Sequence, residues 1–265
     1  MASFSVVSNI ASANAQANLA LNSVGLTKTL NRLSSGFRIN YSGDDAAGLA
    51  VANGYRTEQA VLNQGIRNAN DGLSTLQIKD GALNNISTLL DRLATLASQS
   101  ASGGFMGNRT TLDNEAQSIL DEIDREAGVA GLTVSSSFSV FVSAGTGATV
   151  GGTIGAADTT GLAIGGIDLT SNTLAAAAVS TISTAVATLG TVQGSVGALE
   201  NRLQYAVALG QSQVVNTRAA ESRIRDANIA EESANMTRYN ILTQSGIAAL
   251  AQANNSTSAV LQLLR

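Results

Sequence analysis

"LNQGIRNANDGLSTLQIKDGALNNISTLLDRLATLA", residues 62–97, decides what kind of fold this chain makes. Leu62, Ile66, Ala69, Leu73 and Leu76 step by four and three. That spacing gathers side chains on one side of an α-helix and, when sustained, makes a seam for a second helix. Asp80 takes the next seam position and Leu83 follows. From Leu83 to Ile86 comes a second consecutive step of three, and Leu90, Leu93 and Ala97 continue in the shifted phase. This slip is a stammer in a coiled-coil pattern. Val186, Leu189 and Val192 step by three and three before Val196, so a second stretch carries a similar irregularity. The two are expected to lie side by side on antiparallel helices.

Nothing interrupts these helices. The 265 residues contain no Pro, and half of the 26 Gly fall between 103 and 166. Upstream, "YSGDDAAGLA" reads as a restart, with Ser42 and Asp45 at capping-box spacing and Asp44 and Asp45 at the positive end of the helix. One helix is predicted from about 44 to 100 and another from about 110 to 129. The period then falls to two. Leu132, Val134, Phe138, Val140 and Val142 alternate with Thr and Ser, which predicts a strand. A second strand is expected near 162–169. The helical period returns at about 175 and is expected to run on past 218–233.

Both ends are almost free of charge. Residues 1–43 hold no acid and only Lys28, Arg32 and Arg38, and residues 233–265 hold only Arg238 and Arg265. Ile10, Ala13, Ala17, Leu21 and Val24, then Leu26, Leu30 and Leu33, form helical stripes at the front. Ile241, Ile247, Leu250, Val260, Leu261 and Leu264 do the same at the back. Such helices require partners, and each other is the first candidate. The apolar pattern also runs on through "SAVLQLLR" (258–265), where fraying would be the norm. The fold class is therefore mainly α: long antiparallel helices, coiled-coil terminal arms and a small β-hairpin insert.

Composition narrows the chemistry. His and Cys are both absent, which removes a Ser-His-Asp triad, a Cys nucleophile and a His/Cys zinc site. Asp121, Glu122, Asp124 and Glu126 alternate with Ile123 as a solvated helix face does. No catalytic, cofactor-binding or metal-binding residue is assigned, and no enzyme activity is expected. A net charge of −4 argues against a nucleic-acid partner. No continuous run of about 18 apolar residues exists, so no membrane insertion is expected.

At "RLSSGFRIN" (32–40) the sequence resembles bacterial flagellin. The resemblance continues in "DDAAGLAVAN" (44–53), "RNANDGLSTLQ" (67–77), "DEIDR" (121–125), "SRIRDANIAEESANMTRYNILTQSGIAALAQAN" (222–254) and the closing "VLQLLR". It covers roughly 1–132 and 174–265. It implies a terminal coiled-coil domain of residues 1–34 with 225–265, a spoke at 35–44, and a helical rod at 45–224. The rod would include a hairpin region at about 131–173 and no large outer domain. It implies a filament subunit for motility, exported unfolded by the flagellar type III apparatus, extracellular and partnered chiefly with itself. A filament cap, junction proteins and an export chaperone follow as further partners.

The same resemblance assigns Arg32, Leu33, Ser34, Ser35, Gly36, Arg38, Ile39 and Asn40 to spoke and subunit contacts. Ile10, Leu21, Val24, Leu30, Leu250, Val260, Leu261 and Leu264 would line the core through the arms. It also locates the stretch read by a vertebrate innate immune receptor in some flagellins, here the degenerate "LDRLATLA" (90–97). Arg92 and Glu115 match the family pattern, whereas Ala94 and Thr95 replace an arginine and a glutamate, implying weak or absent receptor binding. Two alternatives stay open: a hook–filament junction protein, and a secreted enzyme or toxin using the same export route.

Overall fold

A computed structural model describes residues 8–143, 145 and 147–263, with side chains described to Ser256. The element order is α1 (Ile10–Ser35), α2 (Ala46–Ala101), α3 (Arg109–Ala130), β1 (Ser136–Phe141), β2 (Thr149–Ile154), α4 (Asn172–Arg225) and α5 (Ile229–Leu263). Contacts divide the chain into two units. The first joins residues 1–57 to 216–265, and the second comprises 58–215. Helices α2 and α4 contribute to both.

In the second unit α2, α3 and α4 pack antiparallel around one core. Asn85 meets Glu126 and Arg92 meets Glu115 between α2 and α3. Ile66 lies against Gly210, Gly72 against Leu203, and Gln193 donates to Asn84 at 3.4 Å between α2 and α4. That last bond places the two stretches beside each other, but the irregularity expected on α4 is absent: Val186 is exposed, and Ala185, Leu189, Val192 and Val196 are buried in regular steps of four, three and four. Leu76, Leu83, Ile86, Leu90 and Leu93 of α2 are buried with Ile123 of α3 and Leu189 and Val196 of α4. The 3–4 pattern read along 62–97 is thus the core face, and the stammer keeps Ile86, Leu90 and Leu93 on it.

The hairpin is antiparallel, in register from Ser136 opposite Ile154 to Phe141 opposite Thr149. It lies close to α2. A Cβ at Gly65 would sit 1.9 Å from the Val142 carbonyl oxygen, so no other residue fits there. Two strand expectations are corrected. The first strand starts at Ser136, because Gly131 ends α3 in the left-handed region (φ 64°) and Leu132 folds into the core, leaving Val134 exposed. The second is 149–154. Its Gly151–Gly152 pair hides the apolar alternation.

Residues 162–169 do alternate, burying Leu162, Ile164, Ile167 and Leu169, but they pair with no strand. Local backbone turns, such as the Ile164 N–H on the Thr159 carbonyl at 2.9 Å, and side chains of α3 hold the segment instead. Asp124 accepts from the Thr159 N–H and hydroxyl at 2.8 and 2.9 Å, Asp113 from the Leu169 N–H at 2.8 Å, and Gln117 donates to the Ile167 carbonyl at 3.0 Å. Asp124 is accordingly a structural acceptor as well as part of the exposed face of α3.

Helix starts and stops also differ from expectation. Asp45, not Ser42, caps α2, accepting from the Gly48 N–H at 2.9 Å. The helix predicted to run through 218–233 breaks, since α4 ends at Arg225 and Asn228 caps α5 by accepting from the Ala230 N–H at 3.1 Å. Among the described residues α4 is long and apolar enough by composition to cross a membrane, which a search for an unbroken apolar run does not detect because Ser, Thr and Gly interrupt it. Its Ala175, Ala178, Ile182, Ala185, Leu189, Val192, Val196, Leu199 and Leu203 are spaced by three and four and buried, as in a core helix.

Glu200 carries a buried Oε1 with no hydrogen-bond partner. Burial, and then the Asp80 carboxylate, push its carboxyl above the ordinary range. The strands beside it hold no titratable group, and Lys79 is turned to the Ala130 and Gly131 carbonyls at 2.8 and 3.0 Å. A raised carboxyl is a penalty present when it is ionised and relieved as pH falls through its folded value. Glu200→Gln should therefore stabilise the second unit at pH 7 and flatten its gain in stability on mild acidification. Urea unfolding at several pH values measures this, and an unchanged pH profile would refute it.

Candidate subunit-contact surface

In the first unit α1 and α5 pair antiparallel. Asn9 donates to the Ala253 carbonyl at 2.9 Å, Gly246 meets Leu19, Gly25 meets the Tyr239 ring, and Arg32 meets Glu232. The covered positions of α1 are Ser12, Ala15, Leu19, Asn22, Leu26, Thr29 and Leu33. They alternate steps of three and four without a break. On α5, Glu232, Met236, Tyr239, Thr243, Gly246, Leu250 and Ala253 do the same. This is a coiled-coil seam, but a weak one, with Ser, Asn, Thr and Gly where bulky aliphatics would pack best. A Cβ on Gly25 would fall 2.6 Å from the Tyr239 ring, so the close approach of the helices depends on glycine there.

Leu19, Leu26, Leu33 and Leu250 lie in this seam, but a second set of aliphatics points elsewhere. Ile10, Leu21 and Val24 are 66–70% exposed, and Leu30 is exposed too. Ile10, Ala13, Ala17, Leu21 and Val24 form their own three–four series, all on the uncovered side. Leu21 is two residues from Leu19, or about 200° around the helix, so this series lies opposite the first. Ile229, Ile241, Leu242 and Ile247 are likewise exposed on α5. The arms therefore do pair, but not through the stripe that the sequence made most conspicuous. Of the arm residues named above, Leu250 belongs to the inner seam and Ile10, Leu21, Val24 and Leu30 to the outer face. The side chains of Val260 and Leu261, and all of Leu264, lie outside the described residues.

Residues 36–45 form a clasp with 221–232. Gly36 ends α1 in the left-handed region (φ 73°), its N–H on the Arg32 carbonyl at 2.8 Å. Phe37 then bridges Asp226, with Arg38 N–H donating to Arg225 at 2.6 Å and Ala227 N–H to Gly36 at 2.9 Å. The Arg225 guanidinium lies 4.2 Å from the centre of the Phe37 ring, a cation–π contact. Ile39 is fully buried beneath. Arg32 pairs with Glu232 at 3.0 Å, and Glu232 is only 7% exposed. Lys28 pairs with Asp44 at 2.8 Å. The hydrogen bond from Lys28 holds the Asp44 carboxyl below its ordinary range against the opposing effect of burial, helped by the Asn40 N–H.

Of the eight residues assigned to the spoke, Arg32, Leu33, Ser35, Gly36 and Ile39 are engaged within the chain. Ser35 accepts from the Phe37 N–H at 3.2 Å. Ser34, Arg38 and Asn40 are exposed, although the Arg38 guanidinium donates to the Ile224 carbonyl at 2.8 Å and the Asn40 N–H to Asp44 at 3.3 Å. Of the partners in the clasp, Asp44 was read as a helix-start residue and pairs instead with Lys28, while Phe37, Arg225, Asp226 and Glu232 lie in the quoted stretches without having been singled out. Beside the clasp an open cleft of about 430 Å³ has Val24, Lys28, Tyr41 and Asp44 in its lining.

In the second unit, Arg92 Nε and a terminal guanidinium nitrogen donate to one oxygen of Glu115, at 3.0 and 2.5 Å. Ala94 and Thr95 lie on the next half-turn, where the Thr95 hydroxyl donates to the Arg92 carbonyl at 2.6 Å. No group of three or more Asp or Glu that could hold a metal occurs among the described residues.

The family model for the bacterial flagellin N-terminal helical region matches residues 6–131, and that for the C-terminal helical region matches 179–264. A flagellin of Halalkalibacterium halodurans is 34% identical over 97% of this chain and 98% of its own. The flagellar filament 33 kDa core protein of Treponema phagedenis is 33% identical over the same shares. A flagellin of Listeria monocytogenes is 33% identical over 98% of this chain and 99% of its own. The crystal structure of Bacillus cereus flagellin matches with a TM-score of 0.48 and 30% identity, covering 58% of this chain and 94% of that one.

Proposed function

The chain belongs to the bacterial flagellin family, and on that premise we propose that it is the filament subunit that copies of itself complete. It is a structural protein of the flagellar filament and thus an extracellular one. The observation that carries the proposal is the uncovered apolar face of α1 and α5. A lone chain leaves Ile10, Leu21, Val24, Leu30, Ile229, Ile241, Leu242 and Ile247 in water. Covering eight half-exposed aliphatics at about 1 kcal/mol each releases on the order of 8 kcal/mol, before the entropy of association is subtracted. Ser34, Arg38 and Asn40 are the spoke residues left to meet a neighbour.

The filament serves motility, and the subunit reaches its tip unfolded through the flagellar type III apparatus. The composition supports this route, since there is no disulfide to reduce and no prolyl bond to isomerise. An export chaperone, a cap and junction proteins are its further partners. Negative-stain microscopy of purified, salt-treated protein tests the proposal. Long filaments are expected. Short or absent assemblies would point to a junction protein or to a non-structural secreted protein and would refute it.

Receptor recognition is expected to be poor. Arg92 is already paired with Glu115, and Ala94 and Thr95 offer no second guanidinium or carboxylate. An arginine anchor at an interface is commonly worth roughly 2 kcal/mol or more, about thirty-fold in affinity. Ala94→Arg with Thr95→Glu should raise binding of the monomer to the receptor by about that factor. Equal binding before and after the substitution would contradict this reading.

A further inference from the structure

The formal charge of −4 is unevenly divided. The unit of residues 58–215 carries thirteen acidic and six basic side chains, and the other unit six acidic and nine basic, giving −7 and +3. Pairing within each unit does not remove the imbalance. In the first unit Asp44 is engaged by Lys28, Glu232 by Arg32, Glu221 by Arg225 and Asp226 by Ser222, while Asp45 caps α2. Among the described residues Arg56, Arg218, Arg223 and Arg238 remain exposed without an acidic partner, Glu231 is the one further acid and is exposed as well, and the Arg38 guanidinium donates to the Ile224 carbonyl at 2.8 Å.

The second unit leaves the opposite excess. Arg92 is taken by Glu115, Arg125 by Glu122 and Glu126, Arg67 by the Gln64 amide oxygen, Arg109 by the Ser100 and Ser102 carbonyls, Arg202 by the Gly151 carbonyl, and Lys79 by the end of α3. Among the described residues Asp91 on α2 and Asp121 on α3 remain exposed with no cation paired to them.

We propose that these are the two halves of one contact between copies: the arginine surface around Arg38, Arg218 and Arg223 of one subunit docks on the acidic surface around Asp91 and Asp121 of another. The inference rests on the filament reading above and names which surfaces meet. A two-fold contact would set like against like, and a unit at −7 beside its equal is self-repelling. A contact joining different patches on the two copies turns the same charges into attraction and, if it does not close, gives an open polymer. The complementarity also discourages copies from packing in the wrong register.

Charge reversal on the full-length chain tests it, read as the critical concentration for polymerisation at low and physiological salt. Arg218→Glu with Arg223→Glu spares the Arg38 contact and the clasp. Asp91→Lys with Asp121→Lys lies outside the hydrophobic core. Each pair should raise the critical concentration about ten-fold or more at low salt, with less effect at high salt. A chain bearing all four substitutions is complementary to itself again and should return to within about three-fold of the unsubstituted protein. Circular dichroism of each monomer checks that helical content is kept. If the unsubstituted protein polymerises and the two pairs do so equally well, or if the folded four-substitution chain fails to recover, the contact is wrong. If the unsubstituted protein forms no filament, the filament reading falls and this contact with it.

Discussion

Removing residues 254–265 is expected to abolish filament formation while leaving the second unit folded. The core of that unit is built from α2, α3, the hairpin and α4, and no residue beyond Leu203 belongs to its buried cluster. The deletion removes the end of α5 and the aliphatics Val260, Leu261, Leu263 and Leu264. At about 1.5–3 kcal/mol for each fully buried side chain, four of them account for on the order of 6 kcal/mol of possible assembly energy. A loss of that size shifts the critical concentration beyond practical reach. Sedimentation and microscopy read the loss of polymer, and the thermal transition of the second unit should be unchanged. Filaments of normal length from the shortened chain would show that these residues do not hold copies together.

Arg32→Ala is expected to open the clasp. Glu232 is almost wholly buried, and its only ion pair among the described residues is with Arg32. Removing one partner leaves a buried carboxylate uncompensated, which costs about 3 kcal/mol or more. The weak seam between α1 and α5 has little to offset that. Loss of helical signal from the first unit at lower urea, with the second unit unaffected, is the expected result. The pair Arg32→Ala with Glu232→Gln should be milder than Arg32→Ala alone, because a neutral amide leaves no charge unpaired. Unchanged unfolding of the single variant would mean that the pair does not hold the clasp shut.

The helices of the second unit were legible because their apolar positions face a core. Leu62, Ala69, Leu76 and Leu83 repeat at helical spacing and are buried. In the first unit the pattern marked two faces, of which Leu26 and Leu33 lie on the covered one. Ile10, Leu21 and Val24 form a stripe that stays exposed, whereas the covered seam joins Leu19, Leu26 and Leu33 to Ser12, Asn22 and Thr29, polar residues that apolar periodicity does not pick out. Apolar periodicity marks a face to be buried without saying against which chain. The break at Asp226–Asn228 was hidden for a different reason. Its residues suit a helix well enough, and the chain leaves the helical path there to pair with Phe37, almost 190 residues away. The segment 162–169 buries Leu162, Ile164, Ile167 and Leu169 much as a strand would, yet its backbone closes local turns and bonds to Asp113 and Gln117 of α3, a choice no local pattern records.

The central claim is that the outer face of α1 and α5 is covered by other copies. Because the chain has no Cys, a single thiol can be placed there against a blank background. Val24→Cys in one protein and Ile241→Cys in another should react readily with a maleimide as monomers, since both positions are exposed. In assembled filaments both thiols should become protected, reacting at least about ten-fold more slowly, and recover on depolymerisation. Equal reactivity in monomer and filament would contradict the account, because the apolar face would then remain in water after assembly.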